Sequence, residues 1–160
     1  METKFAYKMN QFAPTSEIKG RLDLQANLDS YAGVVDSTQA AALKPGDPVA
    51  IVATSTKLPH FVKAAIGQVV MGFVKWTAKK PEYEAGKTVE VSYANDVMYM
   101  EADGAIDAGV AVNIADLTNV RVAAAGAGKS IIGYSMESAA AKGDLIRVRI
   151  TAPVALTANA

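Results

Sequence analysis

The sequence predicts an all-β fold, a small barrel or sandwich of short strands. Three observations carry that reading. Four glycine-led segments each place Val or Ile residues two apart, which is the period of a strand. A second pattern, two apolar residues, then glycine, then an aromatic, occurs in "VVMGFVKW" (69–76) and again in "SIIGYSME" (130–137). Helical periodicity is sparse, so at most one or two short helices are expected.

In chain order, residues 1–30 read as an extended N-terminal arm or a first strand. Pro14 and Gly20 interrupt them, and Phe5, Tyr7, Met9 and Phe12 are apolar at near-alternate positions, which gives one adhesive face. Ordering thirty residues costs ~1–2 kcal/mol of backbone entropy each. Such a segment must lie on its own domain or be added as a strand to a partner. Residues 31–150 carry the repeat and form the barrel-like domain. "KPGDPVAIV" (44–52), "EAGKTVEVS" (84–92), "DAGVAVNIA" (107–115) and "AKGDLIRVRI" (141–150) each carry a turn glycine as their third residue. Gly46, Gly86, Gly109 and Gly143 supply the positive φ of the turn. The pairs Val49 and Ile51, Val89 and Val91, Val112 and Ile114, Ile146 and Val148 then share a strand face.

The second pattern precedes the glycine strands at Gly86 and Gly143, which suggests two related halves. Between them, Val89–Tyr93, the turn at 94–96 and Val97–Glu101 read as a hairpin. Short helical turns are expected at 37–46, capped by Ser37 and stopped by Pro45, and at 136–143, ended by Gly143. Residues 151–160, "TAPVALTANA", read as a flexible or surface-following C-terminal tail.

The run Gly126–Ser130, Gly-Ala-Gly-Lys-Ser, spells the end of a phosphate-binding loop. The full motif needs a glycine at 123, where this chain has Ala123, and a helix after the serine. Ile131, Ile132 and Gly133 open a strand instead, so no helix dipole faces a phosphate. The run is expected as a hairpin tip between Val120–Val122 and Ile131–Tyr134. His60 is the sole histidine and has no second ligand at metal spacing, so it reads as a surface or half-packed imidazole. Asp103 and Asp107 are too few for a calcium loop and read as turn formers. Lys79, Lys80, Pro81 and Tyr83 form a solvated loop, and Met98-Tyr99-Met100 reads as core packing or a subunit interface. No serine stands in a recognisable pattern with the histidine, so no catalytic residue, cofactor or metal is assigned and the chain is not expected to be an enzyme.

Sixteen basic residues balance sixteen acidic ones, whereas proteins that live on phosphate contacts carry a basic excess, so nucleic acid is not an expected partner. The 160 residues include no cysteine, which removes disulfides and thiolate chemistry together. The longest mainly apolar run, 64–74, contains Gln68 and is too short for a bilayer, and no membrane partner is expected.

Three stretches carry a family resemblance. "LDLQANLDSYAGVVDSTQAAALKPGDPVAIV", "VMGFVKWTAKKPEYEAGKTVEVSYANDVMYMEADGAIDAGVAV" and "IIGYSMESAAAKGDLIRVRI" resemble tailed-phage capsid cement or decoration proteins, similar in role to lambda-type head decoration proteins. The resemblance covers roughly residues 20–150. It implies a β-barrel or β-tulip-like domain, made in the host bacterial cytoplasm, on the outer surface of the virion capsid. The implied partners are the major capsid protein and two further copies in a homotrimer, with Phe5, Tyr7, Met9 and Phe12 as capsid or subunit contacts. Another virion role on the same fold, as head-fibre base, tail-tube component or host-surface binding module, is the alternative. An enzyme or carbohydrate-binding domain using Asp103, Asp107, Trp76 and Tyr83 is a third reading.

Overall fold

The computed structural model describes residues 31–55, 58–77, 82–92 and 94–157. Phe5, Tyr7, Met9 and Phe12, like Lys79 and Lys80, lie outside the described residues. Within them the chain is all-β and contains no helix. Strands β1 (Tyr31–Val35), β2 (Pro48–Ile51), β3 (His60–Lys63), β4 (Val69–Val70), β5 (Gly72–Phe73) and β6 (Thr88–Val91) precede β7 (Val97–Ala102). Then follow β8 (Ala111–Asp116), β9 (Arg121–Ala124), β10 (Gly133–Ser135), β11 (Leu145–Ile150) and β12 (Val154–Ala155).

The expected two halves are present, and they are two copies of one topology. In the first unit, 31–92, β1 runs parallel to β3 and antiparallel to β6, while β2 lies antiparallel to both β3 and β5. In the second, 97–150, β7 runs parallel to β9 and antiparallel to β11, and β8 lies antiparallel to β9 and β10. The second unit closes into a barrel through β10 and β11. The first closes by the isolated bridge Val74–Val91, with Lys75 N–H donating to the Glu90 carbonyl and Ser92 N–H to the Phe73 carbonyl.

The turn glycines Gly46, Gly86, Gly109 and Gly143 all have positive φ, between 79° and 94°. Gly72 and Gly133, the glycines of the shorter pattern, answer a different demand. Each lies so close to the strand beside it that a Cβ would strike a main-chain carbonyl, that of Ser92 or of Arg149. Both are therefore fixed by barrel closure.

Three local expectations are corrected. β6 and β7 do not form a hairpin; they belong to different units, and the turn at 94–96 links them. β9 and β10 do not form one either, because both pair with β8, so residues 125–132 cross from one side of that strand to the other. Finally, 37–46 and 136–143 are not helical. Leu43 exchanges main-chain hydrogen bonds with Tyr83, and Ile106 does so with Ala139, so tertiary bridges override the helical preference of the alanines.

Two buried clusters form the core. Val35, Leu43, Val49, Phe61, Val74, Tyr83, Val89 and Val91 fill the first unit. The second cluster runs from Ile106, Val112, Val122, Ile146 and Val148 across to Ala50, Ala64, Val70 and Phe73 of the first unit, so one core joins the two. The C-terminal segment belongs to it as well. β12 pairs with β4, and Ala152 and Leu156 are buried, so the chain lies on the body through residue 157.

Candidate interaction surfaces

The phosphate-loop-like run is built into a structural joint. Gly128 has φ 73°, and Lys129 N–H donates to the Gly126 carbonyl at 3.2 Å, which closes a turn. Ser130 is buried and ties down the C-terminal segment: its N–H donates to Thr157 Oγ1 at 2.8 Å, and its Oγ accepts the Thr157 N–H at 3.2 Å. The serine that a nucleotide site would turn toward a metal ion here pins the tail.

His60 is half exposed, and its Nδ1 lies 3.1 Å from Asp36 Oδ2. The carboxylate comes from β1's C-terminal end, 24 positions earlier, which no local pattern announces. Asp36 Oδ1 accepts from Thr38 N–H at 2.9 Å and Thr38 Oγ1 at 2.7 Å, an Asx turn where a Ser37 helix cap was expected. These Thr38 bonds, followed by His60, hold the Asp36 carboxyl below the usual aspartate range. Ser55 Oγ accepts the His60 main-chain N–H at 3.0 Å, so this hydroxyl meets the backbone of the histidine.

Asp103 and Asp107 are separated in role. Asp103 pairs with Lys142 Nζ at 2.7 Å, while the Asp107 carbonyl accepts from Ser135 Oγ at 2.7 Å. Among the described residues no group of three or more His, Asp or Glu side chains is arranged to hold a metal ion. Tyr83 is buried, and its hydroxyl donates to the Lys75 carbonyl at 3.1 Å, so its ring is core and offers no stacking platform beside Trp76. Met98 and Met100 are buried, in keeping with core packing.

A groove of about 420 Å³ lies between the units, with Gln39, Lys44, Asp47 and Lys63 on one wall and Thr118, Asn119 and Val120 on the other. Its polar groups brace each other. Asp47 meets Lys63 Nζ at 2.9 Å and accepts the Lys44 N–H at 2.7 Å, and Gln39 Oε1 accepts the Lys63 N–H at 2.9 Å. Asp116 accepts from the N–H groups of Thr118 and Asn119 and from Asn119 Nδ2. The Asn119 bonds lead in holding the Asp116 carboxyl low, with Arg121 helping. Arg121 is itself stabilised as a cation by Glu101, its ion-pair partner on β7. The turn ends at Val120, a β-branched residue held at φ 53° and buried. A side chain of that shape is rare in the left-handed region.

The remaining feature is apolar exposure. Ile131, Tyr134 and Met136 flank or belong to β10 and are 38%, 44% and 44% exposed; Ile66 and Val69 stand out near β4. Single exposed apolar residues are ordinary, but these gather around two short strands.

Tandem five-stranded units of one topology define a class of architecture, a double small β-barrel. The N base of head fibre gp8.5 of bacteriophage phi29 shares this fold. Its crystal structure superposes with a TM-score of 0.52 and 14% sequence identity, covering 77% of this chain and 93% of that one. No family model matches the chain, and no curated protein does.

Proposed function

We propose that the chain is a phage virion structural protein that binds the outer surface of the capsid and cements the lattice of the major capsid protein, as a homotrimer. The observation that carries this reading is the fold shared with the phi29 head-fibre base over most of both chains. The exposed apolar residues of β10 and the alternating Phe5, Tyr7, Met9 and Phe12 support it as adhesive surfaces for shell or neighbouring subunit. Three tethered contacts per trimer let modest affinities multiply through effective concentration. The role needs no catalysis, cofactor, nucleic acid or membrane.

Purified protein mixed with expanded, undecorated capsids of the parent phage should bind saturably and raise their resistance to heat. Absence of both effects contradicts the cement role. Deleting residues 1–20 should weaken binding while circular dichroism of the body stays unchanged; undiminished affinity removes the arm from the contact. A second reading, the base of a head fibre, is favoured by the structural neighbour, which is itself a head-fibre base. It predicts binding at a few particular sites on the particle and no gain in heat resistance.

A further inference from the structure

The repeated topology gives the paired strand positions of the first unit counterparts in the second, and one face is treated differently in the two. Gly72 sits opposite Val49, and Gly133 sits opposite Val112; Phe73 sits opposite Pro48, and Tyr134 opposite Ala111. Met71 N–H donates to the Val49 carbonyl as Ile132 N–H does to that of Val112. Val70 and Phe73 therefore correspond to Ile131 and Tyr134. In the first unit both residues are fully buried, within the cluster that joins the units and includes Ala152 and Leu156. In the second unit the same face is open, with Ile131 38% and Tyr134 44% exposed.

What covers the face in the first unit is instructive. β12 lies antiparallel to β4, with Val154 opposite Val70. Its residues alternate: Ala152 and Leu156 are buried and Val154 half-buried, while Pro153, Ala155 and Thr157 face out. The cover is a short strand with apolar side chains at period two. Thr157 reaches the rim of the open face at Ser130. The chain has a second stretch with large apolar residues at the same spacing, Phe5, Tyr7 and Met9, with Ala6 and Lys8 between them, as Pro153 and Ala155 stand between the inward residues of β12.

We propose that the Ile131–Tyr134 face is the docking site for this N-terminal stretch, residues 5–12, which lies there as β12 lies on β4. Reach does not forbid it. The 18 residues from 13 to 30 span up to ~60 Å when extended, against a radius of gyration of ~14 Å for a body of this size. Alternating apolar side chains on an added strand give the pairing its sidedness.

The chain holds no cysteine, so introduced pairs report contact without background. In the full-length chain, Tyr7→Cys with Tyr134→Cys should form a disulfide under mild oxidation at least tenfold faster than Tyr7→Cys with Ile66→Cys. An internally linked monomer identifies the chain's own arm and a linked dimer identifies a neighbour's; either supports the site. Equal rates for the two pairs overturn it. Tyr134→Ser alters a half-exposed side chain and should leave the fold intact. It should speed tryptic cleavage after Lys4 and Lys8 several-fold, and an unchanged cleavage rate contradicts the proposal. Should Tyr134→Ser abolish capsid binding with cross-linking and cleavage both unaltered, the face belongs to the shell and the proposal fails.

Discussion

Gly33 and Met100 occupy corresponding positions on β1 and β7, opposite Val89 and Ile146. Beside them, Phe61 and Val122 correspond on β3 and β9. The first unit combines glycine with phenylalanine, the second methionine with valine, so a small and a large residue have changed places. A Cβ at Gly33 would collide with the Phe61 ring and with the Pro59 carbonyl. Overpacking of this kind costs roughly 1–3 kcal/mol, and Gly33→Ala should lower the urea midpoint accordingly. Adding Phe61→Val should restore part of the loss but not all, since the Pro59 carbonyl stays. No recovery in the double variant would mean the ring is not the obstacle. Charge acts at the same scale. Asp36 titrates below its ordinary value of about 4. A depressed carboxyl contributes stability that is complete above the unfolded value and disappears as pH falls through the folded one. Asp36→Asn should therefore flatten the decline of Tm between pH 5 and 2, and an unchanged slope would remove Asp36 from the acid response.

At the scale of elements, β12 is the strap between the units. Leu156 N–H donates to the Gln68 carbonyl, Gly67 N–H donates to the Leu156 carbonyl, and the leucine side chain is buried. Leu156→Ala should cost about 2–5 kcal/mol, the range for a buried leucine, read as a lower denaturant midpoint. A loss under 1 kcal/mol would mean the strap carries little of the core. The elements also show what the sequence could and could not convey. Turn glycines were legible because positive φ is a local demand that few residues other than glycine meet. Strand faces were legible through their period of two, although Ile51, at the end of β2, is 40% exposed in spite of it. Partners were not legible: β9 and β10 sit on opposite sides of β8, a choice made by contacts distant in sequence. The same holds for Asp36 beside His60, and for a groove whose walls come from different units. The arm residues Phe5, Tyr7, Met9 and Phe12 fall outside the described residues, so their place rests on the proposal above.

For the whole molecule, the common core predicts one cooperative transition. Val70 and Phe73 of the first unit lie in the same cluster as Ile146, Val148 and Ile150 of the second, so neither barrel can open without exposing the other. Calorimetry should give a single peak whose van't Hoff and calorimetric enthalpies agree; two resolved peaks would make the units independent. The proposed role on the virion is mechanical, and it asks of the chain a body that is stable as one piece. The most direct test of that role is location. Electron cryomicroscopy of the parent virion should show double-barrel density on the outer face of the capsid at three-fold or quasi-three-fold positions, and particles lacking the gene should lose it. Density confined to the tail or the capsid interior, or none on the particle, would contradict the account.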